Sequence, residues 1–188
     1  MFKIENLSFS YKKDQHLIDD TSIMTDKRII GVIGKNGCGK STLLKLISKE
    51  LIPDSGNIFV EGRIYRAIHD LSFYNKFTID ELLNLLGKLD SFNLSNKDNY
   101  IEGLHLTKFL HQPLVELSQG TYKKVGILFA FLSGANVILF DEPFESLDGV
   151  SANFVVNEIM SSPKMVVIVD HNIELITNVC DFVINMDN

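Results

Sequence analysis

The 188-residue sequence predicts an α/β fold, a mainly parallel sheet with helices on both faces. Three observations predict it. Short apolar runs recur at Ile29-Ile30-Gly31-Val32-Ile33, Val137 to Phe140, Val166 to Val169 and Phe182-Val183-Ile184, as strands buried on both faces require. Helical periodicity lies between them. Leu43, Leu44, Ile47 and Leu51 share one face after the first run, and Val125, Leu128, Phe129 and Leu132 are spaced i, i+3, i+4, i+7 before the second. Finally, Gly34-Lys35-Asn36-Gly37-Cys38-Gly39-Lys40-Ser41 joins the first strand to the first helix and fits the phosphate-binding pattern G-x-x-x-x-G-K-[ST] in full.

That loop sits where its chemistry needs it. Glycines let the backbone wrap a phosphate, successive N–H groups point inward, and the helix dipole favours an anion. Lys40 would reach the β- and γ-phosphates of a nucleotide, and the Ser41 hydroxyl would bind Mg²⁺. Thr42 follows in the same helical turn and belongs to the same candidate set. Cys38 occupies a loop position that any small side chain fits.

The elements around the loop follow in order. Residues 2 to 11 read as a strand with an aromatic end, Phe9-Ser10-Tyr11, and a polar loop runs from Lys12 to Gln15. Residues 16 to 26 lead into the phosphate-loop strand. Pro53-Asp54-Ser55-Gly56 is a turn closing the first helix, and Ile58 to Val60 and Ile64 to Ile68 are short strands. Texture changes near residue 70. Thr78 and Glu81 precede Leu82, Leu83, Leu85, Leu86 and Leu89, a capping box opening an amphipathic helix. Ser91 to Asn99 reads as loop, and a second short helix is expected around Tyr100 to Leu106. Residues 70–117 thus form a helical insertion between two halves of one domain, 1–69 and 118–188. Gly134 reads as the stop of the helix that carries Val125 to Leu132.

Bulk composition excludes several classes. The net charge of −6 argues against non-specific nucleic-acid binding, which needs a basic surface. A hydrophobic fraction of 45% is ample for a core. Two cysteines suggest no disulfide framework, in keeping with a reducing cytoplasm, and Cys180 reads as a small buried residue. Met1 leads into Phe2-Lys3-Ile4-Glu5, which is not a signal peptide. The longest apolar run, Val125 to Phe140, is interrupted by Ser133, Gly134 and Asn136 and does not suit a membrane span. Membrane association must come through a partner.

The strand Val137 to Phe140 ends in Asp141-Glu142. A phosphate-loop nucleotidase uses such a pair for metal and water. Asp141 would hold Mg²⁺ directly or through a water, and Glu142 would polarise the attacking water as general base.

The order of motifs is specific: phosphate loop, helical insertion, Leu117-Ser118-Gln119-Gly120, Asp141-Glu142-Pro143, Ser146-Leu147-Asp148, His171. Over nearly its whole length the chain resembles the ATP-binding cassette (ABC) ATPases. The resemblance implies a P-loop NTPase core with a small antiparallel β part and a short helical subdomain. It implies ATP and Mg²⁺ as cofactors. Tyr11 matches the aromatic residue that stacks on adenine. Ser118 and Gly120 match the signature motif, which in the family acts across a dimer on the other subunit's nucleotide. Asp148 matches a loop lining that dimer interface. His171 matches the switch histidine, which contacts the γ-phosphate and keeps the glutamate and water in place.

Two departures stand out. The usual signature is Leu-Ser-Gly-Gly-Gln, whereas this chain has Leu117-Ser118-Gln119-Gly120-Thr121. The family also has a glutamine near the metal at the start of the insertion. Counting back from Phe77-Thr78, that position falls on His69, with Asp70 its neighbour; either side chain is of a type that reaches a water or the metal.

The resemblance implies the ATP-hydrolysing subunit of a membrane transporter. Two copies, or this chain and a related cassette, would close head to tail around two ATP molecules and drive a separate transmembrane permease from the cytoplasmic face of the membrane. The contiguous Lys123-Lys124 after the signature resembles cassettes of exporter type. Two alternatives remain open at this level. One is a regulatory or immunity-type cassette with weak hydrolysis, which the altered signature favours and the presence of Glu142 and His171 disfavours. The other is a soluble cassette ATPase outside transport, whose long coiled coil the short insertion cannot supply.

Overall fold

The structure, a computed structural model, describes residues 1–12, 15–67 and 71–187. Two sheets organise it. A three-stranded antiparallel sheet, ordered β2-β1-β4, is built from β1 (Phe2–Lys12), β2 (Gln15–Thr25) and β4 (Ser55–Val60). A five-stranded sheet, ordered β5-β6-β7-β3-β8, comprises β3 (Ile29–Ile33), β5 (Ile64–Arg66), β6 (Val137–Asp141), β7 (Met165–Val169) and β8 (Phe182–Asn185). Every pairing in it is parallel.

The three central strands of this sheet, β6, β7 and β3, are buried on both faces, and their successive side chains alternate between two cores. Ile29, Ile138, Phe140, Val166 and Ile168 face one cluster. There they meet α4 (Gln119–Leu132), α5 (Gly149–Ser161) and α6 (Ile173–Val179). Ile30, Val32, Leu139, Val167 and Val169 face the other. There they meet Leu43, Leu44 and Ile47 of α1 (Lys40–Ile47) and Phe2, Ile4 and Leu7 of the antiparallel sheet. Burying such a side chain contributes about 1.5–3 kcal/mol, so a one-residue slip in any strand is strongly disfavoured. The α/β class, the helices on both faces and the small antiparallel part all agree with the sequence expectation.

Residues 72–116 hold α2 (Ile79–Leu86), α3 (Lys97–Gly103) and three short 3₁₀ turns. The capping box forms as expected. The Thr78 hydroxyl accepts the Glu81 amide at 3.2 Å, and the Glu81 carboxylate accepts the Thr78 amide at 2.9 Å. Such a cap is worth about 1 kcal/mol. Ile79, Leu82, Leu83, Ile101, Leu104 and Leu114 join the same cluster as α4. α3 starts at Lys97, ahead of the expected Tyr100. With Ile101 its one buried residue, that helix carries almost no periodic signal.

Gly134 does not stop α4. The helix ends at Leu132, with Ser133 extended as its cap. The Lys164 ammonium donates to the carbonyls of Phe131 at 3.0 Å and Ser133 at 2.6 Å, satisfying acceptors that a left-handed glycine would otherwise help to cover. Arg28 serves α5 in the same way, donating to the carbonyls of Ile159, Met160 and Ser162. Both cations are remote in sequence from the helices they cap. No helix among the described residues is long and apolar enough to cross a membrane.

Candidate functional site

The candidate residues gather at the carboxyl ends of three adjacent strands. β6, β7 and β3 are neighbours, and their ends lie level: Asp141 pairs with Val169, which pairs with Val32, one residue before the end of β3. At or just beyond that line lie Asp141 and Glu142 from β6, Asp170 and His171 after β7, and the loop 34–39 after β3. Ligands in open α/β sheets bind outside the carboxyl ends of the strands, so topology alone brings these groups together.

The loop from Gly34 to Gly39 wraps on itself before α1. Gly37 and Gly39 have φ of 83° and 105°, a left-handed conformation that a side chain would strain. Lys40 is buried at 6% exposure, and its ammonium donates to the carbonyls of Gly34 at 2.8 Å and Lys35 at 3.0 Å. The Lys35 amide donates to the Asp187 carboxylate at 2.7 Å, anchoring the loop to the segment after β8. Lys35, Asn36 and Gly37 are exposed, and Cys38 is half-buried.

Ser41, in the first turn of α1, donates to the Asp141 carboxylate at 3.1 Å. A hydroxyl and a carboxylate at that separation offer the oxygen donors a Mg²⁺ ion takes, the remainder coming from phosphate and water. No group of three or more His, Cys, Asp or Glu suited to a metal exists among the described residues, and a Mg²⁺ shared with a nucleotide requires none. His69, expected near the metal, and its neighbour Asp70 lie outside the described residues.

Glu142 has a φ of 48°, an unusual conformation for a side-chain-bearing residue. Its amide donates to the Val169 carbonyl at 2.7 Å. His171 Nδ1 lies 3.8 Å from Glu142 Oε1 and 3.8 Å from Asp170 Oδ1. The histidine is exposed at 62%, whereas Asp170 is buried at 2%. Asp170 Oδ1 accepts the Asn172 amide at 2.9 Å, while Oδ2 is buried with no partner among the described residues.

Tyr11, at the end of β1, is exposed at 59%. Its hydroxyl bonds to the Thr42 hydroxyl at 3.2 Å, and Phe9 braces its ring edge-on with centroids 4.9 Å apart. This places an aromatic face beside the first turn of α1.

Ser118 is the N-cap of α4: its hydroxyl accepts the Thr121 amide at 3.2 Å. A side chain on Gly120 would place its first carbon 2.5 Å from the Ser146 carbonyl, so this position needs glycine for close approach. Gln119 shares a cavity of about 310 Å³ with Ser41, Tyr122, Lys123, Asp141, Glu142 and Glu145. Asp148 caps α5 by accepting the Ser151 amide at 2.9 Å. Lys124 hydrogen-bonds the Asp148 carboxylate and, with the Ser151 amide, holds it well below the usual carboxylate range.

A family model described as "ABC transporter" matches residues 20–145 of this chain. The chain belongs to the ABC transporter family. An uncharacterized ABC transporter ATP-binding protein of Methanocaldococcus jannaschii is 25% identical over 97% of this cassette and 72% of its own length. The osmoprotectant import ATP-binding protein OsmV of Salmonella typhimurium is 27% identical over 93% of the cassette and 53% of its own length. Among solved structures, an ATP-binding subunit of an ABC transporter superposes with a TM-score of 0.85 at 22% identity, covering 99% of this chain and 86% of that one. The fold and the ATP-binding character of the chain are those of an ABC cassette.

Sequence reasoning passed over several residues of the cassette's site. Asp187 holds the loop at Lys35, Asp170 sits buried behind His171, and Lys123 contacts the Glu142 carbonyl. None falls in a motif that announces these contacts. Only the register that brings β8 beside β3, and α4 beside the 142–148 loop, creates them.

Proposed function

We propose that this cassette binds and hydrolyses ATP to drive transport through a separate transmembrane permease, in the export direction, by closing head to tail with a second cassette. The observation that carries the reading is the pairing of two contacts at the carboxyl end of the parallel sheet. Ser41 meets Asp141 at 3.1 Å, and Glu142 lies 3.8 Å from His171. A metal-holding pair beside a base and its histidine is the arrangement phosphoryl transfer to water requires.

In this reading the loop amides and Lys40 bind the β- and γ-phosphates, and Tyr11 stacks on the base. Ser41 and Asp141 would hold Mg²⁺, which when bound would neutralise charge on the phosphate oxygens. Glu142 accepts a proton from the water attacking the γ-phosphorus as the bond to the ADP oxygen breaks. His171 keeps Glu142 and the γ-phosphate in register. Ser118 and Gly120 reach the nucleotide on the partner cassette, an identical or a related chain. Exposure of Ser118, Gln119 and Asp148 supports an interface on that side.

The helical subdomain, residues 70–117, is the proposed permease contact. Phe73 is 94% exposed and Val115 65% exposed, and Tyr74 and Phe77 are exposed beside them. Such a cluster suits a partner surface. Docking there would hold the cassette on the cytoplasmic face of the membrane.

ATPase assays on Glu142→Gln test the reading. Turnover should fall about 10²- to 10⁴-fold, the span of a lost general base, with ATP still bound. Turnover at the wild-type rate would refute it.

A further inference from the structure

We propose that Lys123 is a positioning residue for Glu142, and that it joins the signature end of α4 to this subunit's own hydrolytic machinery. The inference rests on the reading of Glu142 as the base.

Three consecutive residues of α4 each tie down a different part of the core. Tyr122 accepts the Leu71 amide on its hydroxyl at 2.7 Å. Lys123 donates to the Glu142 carbonyl at 2.7 Å and to the Glu145 carboxylate at 3.2 Å. Lys124 bonds the Asp148 carboxylate. One turn earlier, Gly120 packs directly against the Ser146 carbonyl. The start of α4 and the loop from 142 to 148 are therefore mated at four points.

Within that loop Ser146 and Glu142 both have a left-handed backbone, with φ of 64° and 48°, and Glu142 carries the proposed base. Its left-handed backbone persists only where the surroundings over-determine it. The amide side is held by the Val169 carbonyl of β7. The carbonyl side is held by Lys123 and, more weakly, by the Glu145 amide at 3.3 Å. The Lys123 side chain is only 13% exposed, so its charge-assisted bond is little screened. Releasing it frees the peptide that sets where the Glu142 carboxylate points. Because Ser118 and Gly120 begin the same helix, a load placed on them by the partner's nucleotide is transmitted through Lys123 to Glu142.

Lys123 also lines the cavity shared by Ser41 and Asp141, so direct phosphate binding is the competing role. The two roles separate experimentally. In the full chain, Lys123→Ala should slow turnover roughly 10- to 100-fold, the range for a lost charge-assisted hydrogen bond. ATP affinity should stay within about twofold, because a positioning role leaves ground-state binding alone. Lys123→Arg should restore most of the rate. Hydrogen exchange across residues 142–148 should rise by at least about tenfold in Lys123→Ala and stay unchanged in α1. Lys123→Met, which keeps the apolar stem, gives the same comparison should alanine impair folding. In a Glu142→Gln background, Lys123→Ala should add less than about a twofold further loss of rate, since both act on one group. Turnover and exchange both at wild-type levels in Lys123→Ala would overturn the inference, as would ATP affinity falling in step with the rate. Normal turnover in Glu142→Gln alone would instead remove the reading beneath it.

Discussion

Ser41 and Asp141 are 100 positions apart in sequence, yet the serine hydroxyl donates to the aspartate carboxylate at 3.1 Å. One sits in the first turn of α1, the other at the end of β6. In the proposed reading these two side chains would hold a Mg²⁺ ion. Asp141→Asn should therefore weaken ATP binding in Mg²⁺ and leave binding in EDTA nearly unchanged. Calorimetry under both conditions checks this. Equal affinities for wild type and variant in Mg²⁺ would contradict the assignment.

Lys40 bonds to the carbonyls of Gly34 and Lys35, which holds its charge within the loop proposed to cradle phosphate. Lys40→Ala should abolish measurable ATP binding by fluorescent-nucleotide titration. Retained affinity would remove the phosphate-loop assignment.

Tyr11 offers one ring face next to α1 and is braced by Phe9. Base stacking on an aromatic residue is worth about 1–3 kcal/mol. Tyr11→Ala should accordingly weaken ATP binding about 5- to 150-fold, and Tyr11→Phe should retain most of the affinity. Stacking accepts any base, so GTP should suffer the same loss as ATP. An alanine variant with unaltered nucleotide affinity would contradict the stacking role.

Much of this site is legible in the amino-acid sequence alone. The strand–loop–helix at 29–47, the acidic strand end at Asp141-Glu142 and the capping box at Thr78 each depend on neighbours close in sequence. Local physics therefore writes them into the chain. Contacts made by remote segments leave no such trace. Lys164 capping α4, Asp187 anchoring Lys35 and Lys123 reaching the Glu142 carbonyl all depend on sheet order and helix placement. A lysine that caps a distant helix looks like any surface lysine in sequence. Gly134 shows the same limit from the other side, since its position after an apolar helix suggests a stop that Lys164 makes unnecessary.

The two cysteines should react differently with a thiol reagent. Burial pushes the Cys180 thiol up to about 12, so almost none of it is the reactive thiolate near neutral pH. Cys38 lies half-buried in the phosphate loop. Peptide mapping after alkylation of the folded chain should find Cys38 labelled and Cys180 spared. ATP should protect Cys38. Equal labelling of Cys38 with and without ATP would place its sulfur away from the nucleotide.

Lys124 and Asp148 give a pH signature. The Asp148 carboxyl is held below its ordinary value of 3.8 in the folded chain. A group with a lowered folded pKa contributes stability above the unfolded value and loses it as pH falls through the folded one. The gap in melting temperature between wild type and Lys124→Ala should therefore be widest at neutral pH and shrink below about pH 4. The half-exposed carboxylate keeps that gap small. A gap that does not change with pH would contradict the pairing.

The proposed ATP-driven closure of two cassettes is tested by light scattering on Glu142→Gln after size exclusion. With ATP and Mg²⁺ the chain should shift from monomer to dimer, and without either it should remain monomeric. That outcome would show that Gln119 and Thr121 in the signature still permit closure. A species that stays monomeric with saturating ATP and Mg²⁺ would contradict self-association through Ser118 and Gly120.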